Sequence, residues 1–214
     1  MTFLEWTEGP LWYGASAIFV VGAAWRLFGI LRLGRRVELS RPRASAASGA
    51  LAAIVRHALP RGEYVERTWY HVVAGYLFHL GLFALLLFAA PHVAFIHDRL
   101  LGVGWTPLPR WAFIVVAELA FAGLILLWVR RICDPVMRQI SDRDDHLGTW
   151  LTFIAMLTGC LALQETSPVL RGIHMLCVEV WMVYFPFSRL MHAFTWVLSR
   201  GFMGANYGRR GVSP

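Results

Sequence analysis

R-G-I-H-M-L-C-V-E-V-W-M-V-Y-F-P-F-S-R-L-M-H-A-F-T-W-V-L-S-R, residues Arg171 to Arg200, is the stretch on which the reading of this chain turns. Its only formal charges are Arg171, Glu179, Arg189 and Arg200. It is long and apolar enough to cross a membrane as a helix. It carries two histidines, His174 and His192. Their spacing equals about five α-helical turns, a rise of about 27 Å, and returns both side chains to one face. A hydrocarbon core is about 30 Å thick, so one imidazole is expected near each side of the bilayer.

The rest of the chain fits a membrane setting. Of its 214 residues 57% are apolar, and its mean hydropathy is +0.54. Soluble domains are usually about 45–50% apolar. The ten tryptophans suit interfacial aromatic belts. The net charge of +7 comes from arginine alone, because the chain has no lysine. In an apolar chain such an excess reads as a topology signal before it reads as nucleic-acid binding. Glu5 and Glu8 stand in the first ten residues without a basic partner, unlike the start of a signal peptide. Cys133, Cys160 and Cys177 are far apart and show no zinc, iron–sulfur or disulfide spacing. They read as small packing residues.

Five apolar runs can span: about 10–31, 69–90, 111–129, 147–164 and 172–198. The first contains Arg26, which must snorkel or find a partner. The loop between the first two runs holds Arg32, Arg35, Arg36, Arg41, Arg43, Arg56, Arg61 and Arg67. Within it, Ser48 to Leu59 reads as a short amphipathic helix on the membrane face. Arg130, Arg131, Arg138 and Arg143 lie between the third and fourth runs, and Arg200, Arg209 and Arg210 follow the fifth. The opposite side holds only Arg99, Arg110 and Arg171. The positive-inside rule then places the N-terminus outside and the C-terminus in the cytoplasm. The expected fold is an all-α integral membrane bundle of five helices, one domain over residues 1–214. The outer loop from Pro91 to Pro109, rich in Gly and Pro, is expected to fold back on the membrane surface.

Histidines inside a bilayer are rare and usually functional. His57 and His146 fall in cytoplasmic segments, His97 in the outer loop, and His71 at the inner mouth of the second run. His79 and His92 on the second run remain, facing His174 and His192 on the fifth. Antiparallel matching pairs His79 with His192 and His92 with His174. Two histidines on one stripe, one per leaflet, suggest one axial ligand for each of two stacked haems. The spacing leaves the partner open. His79 to His92 rises only about 20 Å and turns off one stripe, whereas His71 to His92 rises about 31 Å. Pro91 is expected to kink or end the helix and re-aim His92.

Local context favours His79. Gly75 and Gly81 flank it and would let a flat porphyrin lie close to the helix, although plain helix packing uses glycine in the same way. Arg171 and Arg189 each precede a histidine by three residues and share its face, within reach of haem propionates. Pro186 breaks the fifth helix between the two ligands. Glu118 and Glu179 are acids within spans, candidates for proton handling at a quinol site or for structural hydrogen bonds.

F-H-L-G around His79, W-V-R-R-I-C-D-P-V-M-R after the third run, and F-P-F-S-R-L-M-H ending at His192 resemble the γ (cytochrome b) subunit of respiratory nitrate reductase. They also resemble the membrane cytochromes of sulfite-reduction-linked and heterodisulfide-reductase-like complexes. The resemblance covers about residues 10–200. It implies a five-helix dihaem cytochrome b of the respiratory chain in a bacterial or archaeal cytoplasmic membrane. Such a subunit exchanges electrons between menaquinone or ubiquinone and a cytoplasmic iron–sulfur subunit. It implies His79 and His192 as ligands of the inner haem b and His174 as a ligand of the outer one. The nitrate reductase subunit has a second histidine ten residues after the first. Here Ala89 stands at that position, and His92 is the nearest candidate. The A-P-H-V-A-F run looks more like the sulfur-linked branch.

On this reading the metal ligands are His79, His192, His174 and His92. Arg171, Arg189, Gly75 and Gly81 seat the cofactor. Quinol oxidation is expected at the outer end of the second run, near His92 and Arg99 or Arg110. The competing classes are a small transporter or membrane anchor without haem, and a membrane enzyme with a non-haem metal site. A transporter more often shows an internal repeat or matched broken spans, and neither is visible here.

Overall fold

The computed structural model describes residues 1–33, 41–58, 62–163 and 167–212, and among them all regular structure is helical. A short α1 (Phe3–Trp6) passes through a π-turn (Thr7–Leu11) into α2 (Trp12–Arg32). Then follow α3 (Ala46–Arg56), α4 (Val65–Phe88) and α5 (Ala90–Phe95). After them come α6 (Arg110–Cys133), α7 (Pro135–Ile140), α8 (Arg143–Ala162), α9 (Pro168–Tyr184) and α10 (His192–Arg209). Arg35, Arg36 and Arg61 of the basic loop, Leu59 and Gln164 lie outside the described residues.

Among the described residues, four helical segments are long and apolar enough to cross a membrane: Phe3–Arg32, Gly62–Phe88, Arg110–Cys133 and Pro168–Phe187. The expected run 147–164 is helical as far as Ala162 but is not among the four. Its helix opens on Arg143, Asp144, Asp145 and His146 and carries three threonine hydroxyls further on. Burial follows the logic of lipid-solvated helices. Half of the buried apolar residues described are alanines, among them Ala15, Ala23, Ala74, Ala117 and Ala120, while Val20, Val21, Trp25, Leu80 and Trp111 are exposed. Small residues bring backbones together and large ones face outward, because lipid is as apolar as leucine and does not drive large side chains inward.

Contacts divide the chain into two compact units. The first comprises Met1–Trp12 and Trp69–Trp181. In it α4 and α6 run antiparallel along a seam of small residues. A Cβ on Gly81 would stand 2.7 Å from the Ala120 Cβ, and one on Gly123 would stand 2.7 Å from the Ala74 carbonyl oxygen. Leu85, Ala89, Phe113, Ala117, Ala120, Leu124 and Met156 form the adjoining core. Trp181 Nε1 donates to Thr152 Oγ1 at 2.9 Å and ties α9 to α8.

The motif W-V-R-R-I-C-D-P-V-M-R is a helix elbow. Asp134 caps α7 by accepting from the Val136 and Met137 amides, and Pro135 takes the first helical position, where no N–H is needed. Arg131 then holds the elbow shut. Its guanidinium lies 3.0 Å from Asp145 Oδ1 at the start of α8 and donates to Ser141 Oγ at 3.0 Å.

The second unit comprises Tyr13–Thr68 and Met182–Pro214. Here the stretch that opened the sequence reading departs from a continuous helix. α9 ends at Tyr184, two 3-10 turns follow (Phe185–Phe187 and Arg189–Met191), and Ser188 between them is extended at φ −116°, ψ 176°. The five unbroken turns expected between His174 and His192 are therefore absent. Pro186 has no N–H to continue the ladder, and Ser188 Oγ starts a new one by accepting from the Leu190 amide at 3.2 Å. Arg26 supplies donors at the break: Nη1 lies 2.9 Å from the Pro186 carbonyl oxygen and 3.3 Å from that of Ser188. Gly22 lets α2 approach, since a Cβ there would stand 2.7 Å from Pro186 Cβ. Phe19, Phe185 and Phe194 close the site edge to face.

The short amphipathic helix appears as α3, and its packing was not foreseen. It lies against α10 through Gly49 and Ala53, facing Gly204 and Gly208 of G-A-N-Y-G. A Cβ on Gly49 would be 2.6 Å from Gly208 Cα. Leu51 and Val55 stay exposed. This is the close approach that small residues four apart permit.

Candidate cofactor site

The site begins with the end of α4. A helix leaves its last four carbonyls without intrahelical donors. Here each is met. α4 stops at Phe88, Ala89 turns extended, and α5 starts with Pro91 in its first turn. That turn brings His92 back over the helix it has just left. His92 Nδ1 lies 3.1 Å from the carbonyl oxygens of both Leu85 and Leu86. Trp105 Nε1 donates to Leu87 at 2.8 Å, and the Leu108 amide donates to Phe88 at 2.8 Å. The outer loop thus folds back onto the helix end. Carbonyl oxygens only accept, so His92 carries its proton on Nδ1 and its lone pair on Nε2.

His174 on α9 is positioned by α8. Thr158 donates its hydroxyl hydrogen to the helix behind it, 2.8 Å to the Ile154 oxygen and 3.1 Å to that of Ala155. Its oxygen then accepts from His174 Nδ1 at 3.2 Å. Gly159 makes the room: a Cβ there would stand 2.9 Å from His174 Cε1. This imidazole too carries its lone pair on Nε2.

The two rings meet within the first unit. Their centroids are 6.1 Å apart and their planes 22° from parallel. Two imidazoles bound on opposite sides of one metal ion, with metal–nitrogen bonds of about 2 Å, have ring centres about 6 Å apart. The centroid spacing matches that figure, and each Nδ1–H has the outer partner that a ligating histidine normally has.

The other expected site residues are placed as follows. His79 lies in α4 with Nδ1 2.7 Å from the Gly75 oxygen, and a Cβ on Gly75 would meet nothing within 4 Å. Gly81 differs: a Cβ there would meet Ala120 of α6, so it serves helix packing. Arg171 reaches Glu8 Oε1 at 2.7 Å, an ion pair that takes the guanidinium expected for a propionate. Gly172 beside it packs on the Phe3 ring.

In the second unit, His192 opens α10 with Nδ1 2.8 Å from the Arg189 oxygen, and Arg189 is exposed in the preceding 3-10 turn. Glu179 is buried in α9, whereas Glu118 is exposed on α6. His97 pairs with Asp98 at 2.7 Å in the outer loop, where Arg99 and Arg110 are exposed. Sequence reasoning missed Thr158 and Gly159. They stand on a run with no candidate ligand, and no spacing rule ties them to a histidine on the next helix.

No family model matches the chain. It is 26% identical over 206 residues to a protein of Nitratidesulfovibrio vulgaris whose name says nothing of its activity, covering 93% of this chain and 91% of that one. It is 27% identical over 192 residues to a protein of Archaeoglobus profundus named an Hdr-like menaquinol oxidoreductase cytochrome b-like subunit. That match covers 72% of this chain and 56% of the relative.

Proposed function

We propose that this chain is the membrane cytochrome b subunit of an oxidoreductase complex, passing electrons between a membrane quinone and a cytoplasmic iron–sulfur partner by way of two b-type haems. The observation that carries the reading is the His92–His174 pair, 6.1 Å between ring centres, with each Nδ1 turned to an acceptor of the protein. Similarity to a protein named as a menaquinol oxidoreductase cytochrome b-like subunit supports the same class. It favours the sulfur-linked, heterodisulfide-reductase-like branch over a nitrate reductase partner, and menaquinol over ubiquinol.

In this reading His92 and His174 hold the outer haem, and His79 and His192, on the sequence pairing alone, the inner one. A bound haem supplies one-electron chemistry, and its potential answers to ligand basicity and burial. The protein supplies a fixed tautomer at each ligand and an apolar seat. The short loop folded onto the end of α4 keeps water from the His92 side. Exposed Arg99 and Arg110 beside that loop are where a quinol headgroup would meet the protein. Five membrane crossings, with α8 as the least apolar, put the arginine-rich segments in the cytoplasm, where they attract an acidic face of the partner.

The test is a dithionite-reduced minus oxidised spectrum of the purified protein, with haem counted per chain. Two haems per chain are expected, falling to one in His92→Ala or His174→Ala. A colourless wild type, or unchanged bands in the His92→Ala, His174→Ala double variant, refutes the assignment.

A further inference from the structure

We infer that Thr158 and Gly159 on α8 are the positioning residues of the outer haem's ligand His174, setting the orientation of its ring and its strength as an electron donor. The inference rests on the proposed haem function, but its evidence is separate: α8 carries no ligand of its own. Thr158 has one hydroxyl hydrogen, and the carbonyls of Ile154 and Ala155 take it. Its oxygen is therefore left to accept, and His174 Nδ1 is 3.2 Å away. Gly159, next in sequence, is where the edge of the imidazole rests, with Cε1 2.9 Å from the position of an added Cβ. One residue, together with the Ala155 backbone, faces the protonated nitrogen. The other determines how far the ring can turn.

The two ligands of this pair are supported unequally. His92 leans on two backbone carbonyls, which no substitution removes. His174 leans on the Ala155 backbone and on the Thr158 hydroxyl, and a substitution can remove the hydroxyl. An acceptor on Nδ1–H pushes electron density towards Nε2 and favours the ferric ion, and removing it favours the ferrous ion. Outer-shell partners of this kind typically change metal affinity by about 10–100-fold. A tenfold change in the ferric-to-ferrous preference is about 59 mV for a one-electron couple.

Potentiometric titration of the two haems, with low-spin electron paramagnetic resonance of each, tests this on the full-length membrane protein. Thr158→Val is expected to raise the midpoint potential of one haem about tenfold in equilibrium terms and leave the other unchanged. Thr158→Ser, which keeps the hydroxyl, is expected to restore it. Gly159→Ala is expected to shift the resonance positions of that same haem by turning the ligand plane. Loss of one haem in Thr158→Val with retention in Thr158→Ser also supports the inference.

Wild-type potentials and resonances in both Thr158→Val and Gly159→Ala overturn it. So does a shift in the haem that survives His174→Ala. If Thr158→Val does not accumulate, Gly159→Ala decides by its resonance positions alone. A wild type without haem refutes the proposed function instead, so the two failures are distinct.

Discussion

Gly123→Ala probes the seam on which the first unit depends. The added Cβ would stand 2.5 Å from the Phe78 backbone nitrogen, 2.7 Å from the Ala74 carbonyl oxygen and 3.0 Å from Leu77 Cβ. Ordinary contact begins near 3.4 Å, so α4 must retreat by about 0.9 Å at Phe78. The obstacle includes backbone, which has no rotamer to turn. Overpacking against backbone sits at the upper end of the usual range, about 2–3 kcal/mol. Alanine's better helix propensity returns about 1 kcal/mol. The net is a loss of about 1–2 kcal/mol, or a fall in melting temperature of ~2–8 °C for a chain of this length.

Gly75→Ala is the matched control. It lies on α4, the helix that Gly123 of α6 packs against, but its added Cβ meets nothing within 4 Å. On packing alone it is neutral or slightly stabilising. If a porphyrin lies against this helix beside His79, it lowers haem content while protein stability in the haem-free state holds. Both variants are read by thermal unfolding in mild detergent together with haem per chain. A Gly123→Ala protein at least as stable as wild type refutes the close α4–α6 approach.

Asp145→Asn leaves Arg131 without its anionic partner at an elbow where Asp145 is nearly buried. Removing one partner of a buried pair costs about 3 kcal/mol, and a double-mutant cycle with Arg131→Gln should show strong coupling, so additive single effects contradict the assignment. Arg26→Leu deprives the Pro186 and Ser188 carbonyls of their side-chain donor. It should destabilise the second unit by about 1–3 kcal/mol and speed proteolysis near Phe187, whereas unchanged cleavage argues that the break holds without Arg26.

Much of this protein was legible in its residues. Long apolar runs punctuated by arginine fixed an all-helical membrane chain, because a backbone in lipid must satisfy its hydrogen bonds within each helix. The expected end of α4 before Pro91, the break at Pro186 and the partner that Arg26 needed follow from the same local chemistry. Tertiary structure decided what local rules leave open. Helical spacing placed His174 and His192 on one stripe, but Ser188 turns extended and the stripe ends there. Gly75 and Gly81 looked alike in sequence, and only the position of Ala120 shows that one packs and the other does not. Arg171 is held by Glu8, more than 160 residues away, and His174 by a threonine on another helix. Periodicity encodes which face of a helix a residue occupies. What stands opposite that face depends on the approach of another segment, and no spacing within one segment carries that information.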